Sequence, residues 1–119
     1  MTYSRDPLFR VQYRFLSAAE GGRAMLPKQG WRAGFQYESE PLAPYYEVWP
    51  LFESVTGNTL PELAPVPAEG TAQMFVLHEE ELPFHRQMAQ PGRRCLFIEG
   101  GRPIAIATVL GPIFGAAPD

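Results

Sequence analysis

Thirteen prolines are spread through 119 residues, about double the usual share of roughly 5%. Each proline inside a helix removes a hydrogen bond and clashes with the preceding turn, which argues against an all-helical domain. Between the prolines, apolar and polar residues alternate. Phe9, Val11, Tyr13 and Phe15 share one face against Arg10, Gln12 and Arg14, the period-two pattern of a half-buried strand. Trp31, Ala33, Phe35 and Tyr37 repeat it over 31–38. Pro41, Pro44 and Pro50 interrupt the segment from Ser39 to Glu53, which reads as an aromatic-rich loop because proline cannot donate to a strand ladder. A short third strand is expected over 52–59 and a fourth over 71–77. The stretch 78–90 reads as a loop with one helical turn.

The C-terminal hairpin is the clearest local signal. Arg93–Glu99 and Arg102–Leu110 flank Gly100-Gly101, a pair that accepts the positive φ angles of a type I′ turn. That register sets Glu99 opposite Arg102, Phe97 opposite Ile104 and Cys95 opposite Ile106. The other face then carries Leu96, Ile98, Pro103, Ala105, Ala107 and Val109, so both faces are apolar. A hairpin with one face in water does not look like this. The second face needs a cover, from this chain or from a partner. Six short strands with Gly- and Pro-rich connections give an all-β fold class, a sandwich or a closed barrel, and closure removes exposed edges.

The length fits one domain, spanning 1–119. Hydrophobic residues make up 45% and charged residues 19%, which excludes a wholly disordered chain. No apolar run approaches the roughly 20 residues that span a bilayer as a helix. Met1 to Asp6 does not read as a signal peptide, and a single cysteine cannot form an internal disulfide. A reducing, cytoplasmic setting with no membrane partner is the expectation. The net charge of −3 conceals a partition: residues 1–37 carry net +4, residues 38–81 carry nine glutamates without a Lys or Arg, and residues 82–119 carry net +2.

A family resemblance rests on several of these segments. Phe9-x-Val11-x-Tyr13-x-x-Leu16-Ser17-x-x-Glu20-Gly21-Gly22-Arg23, followed by Gly30-Trp31-Arg32-x-x-Phe35-x-Tyr37, resembles the opening of the third domain of elongation factor Tu. Val55-Thr56-Gly57, Pro67-x-x-Gly70-x-x-x-Met74 and Arg94-x-x-Phe97-Ile98-Glu99-Gly100-Gly101-Arg102-x-Ile104 continue it in order, over about residues 8–111. The resemblance implies a six-stranded antiparallel β-barrel that is non-catalytic. In the full factor that barrel contacts the T-stem backbone of aminoacyl-tRNA, packs on the GTPase domain and meets the nucleotide-exchange factor. Residues 39–53 look like an insertion relative to the family, and Ala33-Gly34 replaces its Pro-Gln. No Gly-x-x-x-x-Gly-Lys-Ser/Thr occurs, so no phosphate loop for GTP is expected.

The function expected is a non-catalytic binding module acting by protein–protein contact, as a domain mimic, regulator or immunity-type protein, with a protein partner or a second copy. Its contact residues are Tyr45, Tyr46 and Trp49 of the insertion with Leu96, Ile98 and Val109 of the hairpin, since Tyr and Trp are enriched at interfaces. The insertion reads equally as a plug over a barrel face. The alternative function is an accessory gripping tRNA or other RNA backbone through Arg23, Lys28, Trp31, Arg32, Gly100 and Arg102, since cations neutralise phosphate and aromatics stack on bases. Against it, the glycines are explained by turn geometry alone, and Glu99–Arg102 reads as an exposed cross-strand pair. Cys95 reads as a buried small hydrophobe. His78, Glu79, Glu80, Glu81 and His85 fit no standard metal spacing and read as solvated loop charge. Neither a catalytic site nor a cofactor is expected.

Overall fold

In the computed structural model, which describes residues 6–41 and 44–112, the alternating segments form the staves of one closed antiparallel barrel. The strands are β1 (Phe9–Phe15), β2 (Ala33–Tyr37), β3 (Tyr46–Phe52), β4 (Glu69–Val76), β5 (Arg94–Glu99) and β6 (Arg102–Pro112), and one helix, α1 (Leu82–Met88), follows a 3₁₀ turn at Glu79–Glu81. Round the barrel the order is β1-β4-β3-β2-β5-β6, with β6 pairing back onto β1. The all-β, six-stranded reading is therefore correct. No helix among the described residues is long and apolar enough to cross a membrane. The opening segment 1–5 and residues 42–43 of the insertion lie outside the described residues.

The inward residues of β1 behave as their alternation requires: Phe9, Val11, Tyr13 and Phe15 are all buried. They meet Phe35, Tyr37, Phe52 and Phe97 in a core dominated by rings, with Tyr13 edge-on to Phe52 at 5.1 Å and Phe35 edge-on to Tyr37 at 5.2 Å. Offset and edge-to-face rings at these distances add to the burial of their large apolar area.

The third strand departs from expectation. It lies at Tyr46–Phe52, inside the segment read as a loop, and contains Pro50. The reason is local. β2 pairs with β3 only at Ala33↔Val48, Gly34↔Glu47 and Phe35↔Tyr46, so at Pro50 the ladder runs on the β4 side alone, opposite Met74. A proline is tolerated where one side of a strand has no ladder to feed. Beyond it a buried side chain replaces the missing neighbour. Gln29 donates to the Phe52 carbonyl at 3.0 Å, accepts from the Phe52 N–H at 3.0 Å and donates to the Leu60 carbonyl at 3.1 Å. Val55 and Gly57, expected within a strand, stand in an exposed turn.

The hairpin turn forms as its glycines demand, with φ of +62° at Gly100 and +77° at Gly101. The register does not hold along the strands. Glu99 pairs with Arg102 and Ile98 with Pro103, but Phe97 pairs with Ala105, so Ile104 is an extra residue in a bulge. A bulge inverts the alternation beyond it. Ala105, Ala107 and Val109 therefore turn inward with Cys95 and Phe97, and Ile106 turns outward opposite Leu96.

Candidate functional site

The residues singled out from the sequence fall into three places: the outer face of β2, β5 and β6, and the two mouths of the barrel.

On the outer face, the proposed hairpin surface is largely withdrawn from solvent. Val109 and Ile98 are each 1% exposed, Val109 because of the bulge. Ile98 lies opposite Gly34, and the Tyr45 ring lies directly on Gly34, where an added Cβ would sit 2.7 Å from the ring. Gln36 of β2 donates to the Pro44 carbonyl at 2.7 Å. The segment before β3 therefore folds back over β2, so its outward residues Gly34 and Gln36 are buried along with the inward Ala33, Phe35 and Tyr37. This is the covering role that the insertion was weighed for, and the chain itself supplies it. Tyr45 keeps 43% of its surface exposed. Beside it Leu96 and Ile106 remain half-buried on adjacent strands. Trp49 is half-buried, donates from Nε1 to the Gly30 carbonyl at 3.0 Å and stacks under the exposed Arg32 guanidinium at 4.8 Å.

The first mouth gathers the two Glu-Gly-Gly-Arg turns. Ser17 caps the 3₁₀ turn Ala18–Glu20 in a capping box, with Glu20 bonded back to the Ser17 N–H at 2.8 Å. That backbone bond, then Arg14, holds the Glu20 carboxyl down at about 2. Gly22 cannot carry a side chain, because a Cβ there would meet the Leu16 carbonyl oxygen at 2.0 Å. Arg23 pairs with Glu99 across the mouth at 3.1 Å, and Trp31 donates to the same carboxylate at 3.2 Å. The pairing expected within one turn, Glu99 with Arg102, is thus made between the two turns. Trp31 packs on Phe15, Phe52 and Phe97 at 5.8–6.4 Å, so it closes the barrel instead of lying open for stacking. Of the six residues assigned to an RNA contact, Lys28, Arg32, Gly100 and Arg102 are exposed, while Arg23 and Trp31 are engaged in the protein.

The second mouth is stoppered by α1. Leu82, Phe84 and Met88 pack on the core, and His85, expected in a solvated loop, is fully buried. Its Nδ1 meets the Tyr37 hydroxyl at 2.7 Å, and rings surround it: Tyr46 at 4.8 Å, Phe84 at 5.4 Å, Tyr37 at 5.7 Å and Phe35 at 6.3 Å. Tyr46, placed by sequence at a partner interface, faces Phe84 and His85 instead. Burial pushes the His85 imidazole down to about 4 and the Cys95 thiol up to about 12, the behaviour of an inert thiol in an apolar site. His85 Nε2 lies 3.7 Å from Glu81 Oε1, too far for a hydrogen bond, and neither atom has a partner. Outside, His78 pairs with Glu47 at 3.0 Å, a bond that raises its pKa.

Glutamates of the acidic middle pair with arginines outside it: Glu53 with Arg10 at 2.6 Å and Glu38 with Arg94 at 3.3 Å. Burial pushes the Glu53 carboxyl up, but hydrogen bonds from Arg10, Gln73 and Thr71 outweigh it and leave it lowered. Among the described residues no group of three His, Cys, Asp or Glu is placed to hold a metal ion. No protein-family model matches the chain, and no curated protein matches it.

Proposed function

We propose that this chain is a non-catalytic binding module of the kind formed by the third domain of elongation factor Tu, acting by contact with another protein. The observation that carries the reading is the Arg23–Glu99 pair. It joins the two Glu-Gly-Gly-Arg turns at one mouth of a six-stranded barrel, so the motifs on which the resemblance rests form one structural unit. The contact surface is the outer strip of Tyr45, Leu96 and Ile106, with Trp49 and Arg32 to one side. On this strip Tyr45 is 43% exposed, and Leu96, Ile106 and Trp49 are partly exposed. Ile98, Val109 and Tyr46 support that surface from beneath or belong to the helix-closed mouth.

The test titrates the purified chain against two proteins that such a domain meets, the GTPase domain of elongation factor Tu and its nucleotide-exchange factor. Leu96→Arg is the control variant. Binding to either one, weakened at least tenfold by Leu96→Arg, is the expected result, as for truncation of a central contact worth more than about 1.4 kcal/mol. A monomer that binds neither protein overturns the reading. The exposed Lys28, Arg32 and Arg102 favour the RNA alternative. Titration with tRNA at low salt decides it, because phosphate-driven affinity is greatest there.

A further inference from the structure

Glu81 stands at the N-cap of α1 without capping it. Its carboxylate is directed at His85, one turn on, and the two atoms that face each other across 3.7 Å are both buried and unpartnered. Native proteins satisfy nearly all buried polar atoms, so a facing pair of exceptions marks a place with more than one stable arrangement. The ring's other nitrogen is already committed to the Tyr37 hydroxyl. With the neutral ring's proton on Nε2, Tyr37 donates to Nδ1, and Nε2–H points at Glu81 across a gap longer than a hydrogen bond. Once both partners are protonated, the imidazolium has two N–H donors, Tyr37 loses its acceptor, and a positive charge sits among Phe35, Tyr46 and Phe84.

The groups packed round the pair do not neutralise that charge. β2 offers the Tyr37 hydroxyl and β5 the Cys95 thiol, both held neutral by burial. β3 offers the Tyr46 hydroxyl, with Glu47 committed to His78. The 3₁₀ turn contributes the exposed Glu79 and Glu80, and α1 the exposed Arg86. Arg93 acts on Tyr37 from just before β5, and Glu40 acts on Tyr46. Burial raises the Glu81 carboxyl.

α1 is also the separable part of the fold. The barrel closes through six strand pairings, none of which uses α1. The helix is seven residues long, held by Leu82, Phe84 and Met88 and by the bond from Arg93 Nε to the Met88 carbonyl at 3.0 Å. Isolated helices this short do not persist in water.

We propose that Glu81 and His85 form a proton-operated latch, and that protonation of His85 beside a neutral Glu81 releases residues 79–89 from the barrel mouth while the six strands stay closed. Release uncovers Tyr37, Tyr46 and Phe35, an apolar mouth absent at neutral pH. The device does not depend on the partner reading above.

The experiment is a pH titration of the full chain by ¹⁵N NMR from 7.5 to 3.5, following backbone amides together with the imidazole signals of His85 and His78. Amides of Leu82–Ala89 are expected to move to coil positions while strand amides keep their dispersion. The released population should grow as pH falls below 6.5, by at most about tenfold per pH unit because Glu81 opposes the change, with the midpoint of the His85 ring and not of His78. His85→Gln should keep α1 docked throughout. The proposal is overturned if strands and helix are lost together, if α1 stays docked at pH 4, or if the step survives in His85→Gln. Should that variant fail to fold, the wild-type ring decides: a His85 midpoint that differs from the α1 midpoint ends the idea.

Discussion

The two mouths of this barrel are closed by different chemistry. At one, Trp31 stacks into the core and its indole N–H shares Glu99 with Arg23, a cation with no neutral form at accessible pH. At the other, a short helix inserts a histidine that burial keeps uncharged, bonded to a tyrosine and facing an unpaired carboxylate. The second closure weakens as pH falls below about 6.5, toward the folded histidine's value of about 4. A mouth sealed by aromatic rings can therefore be completed by an arginine–carboxylate pair or by a buried neutral histidine.

The comparison is most directly strained by Trp31→Ala. Loss of an indole that packs on three core rings should cost about 4 kcal/mol, read as a lowered denaturant midpoint with the whole barrel affected. Phe84→Ala should cost less than half of that, and hydrogen exchange should place its effect on residues 82–89. Equal and global losses from both variants would show that the mouths are equivalent.

Acid should weaken the helix mouth next. The unfolded chain protonates its histidine near 6.5 and the folded chain near 4, so stability is full above about pH 6.5 and is lost as pH falls toward about 4. The loss amounts to about 3 kcal/mol at most. Glu81, whose carboxyl is raised in the folded state, works the other way and gains stability as pH falls through its own titration. Chemical denaturation at successive pH values measures the slope, and a profile flat between 6.5 and 4 would contradict it.

Two smaller effects belong to the Trp31 mouth. Gln29→Ala removes the buried partner of the Phe52 N–H and the side-chain donor to the Leu60 carbonyl, while the Phe52 carbonyl keeps the Leu60 N–H. It should cost about 2 kcal/mol by the same denaturation. Glu99→Gln, at a pair that is part exposed, should cost no more than about 1 kcal/mol.

Where the chain alternates cleanly, its strands could be read directly: β1, β2, β4, β5 and β6 stand within a few residues of their expected places. β3 escaped because Pro50 is a breaker on any local rule, and only the short β2–β3 ladder makes it harmless. The outer surface was misassigned for a different reason. One extra residue, Ile104, inverts the inward and outward positions of β6, and a bulge leaves no mark in an apolar run. At the candidate sites, the two Glu-Gly-Gly-Arg turns stood out as motifs. Their joining through Arg23 and Glu99 did not, because it spans 76 positions of sequence between residues that each had a nearer partner. His85 read as loop charge because a helix with a proline in its first turn, stoppering a barrel, has no periodic signature over seven residues.

Gly34, Glu47 and their two neighbouring pairs also have a consequence for how the molecule assembles. A ring of strands must close at one joint, and here one joint is three pairs long whereas β1 meets β4 and β5 meets β6 over six each. The short joint offers the least reward for the chain entropy lost in closing the ring. It is therefore the natural final step of folding and the first place at which the ring parts. The Tyr45 ring lying across Gly34 acts as a clasp over that joint, so the aromatic segment that interrupts the barrel's pattern is also what keeps its circle shut.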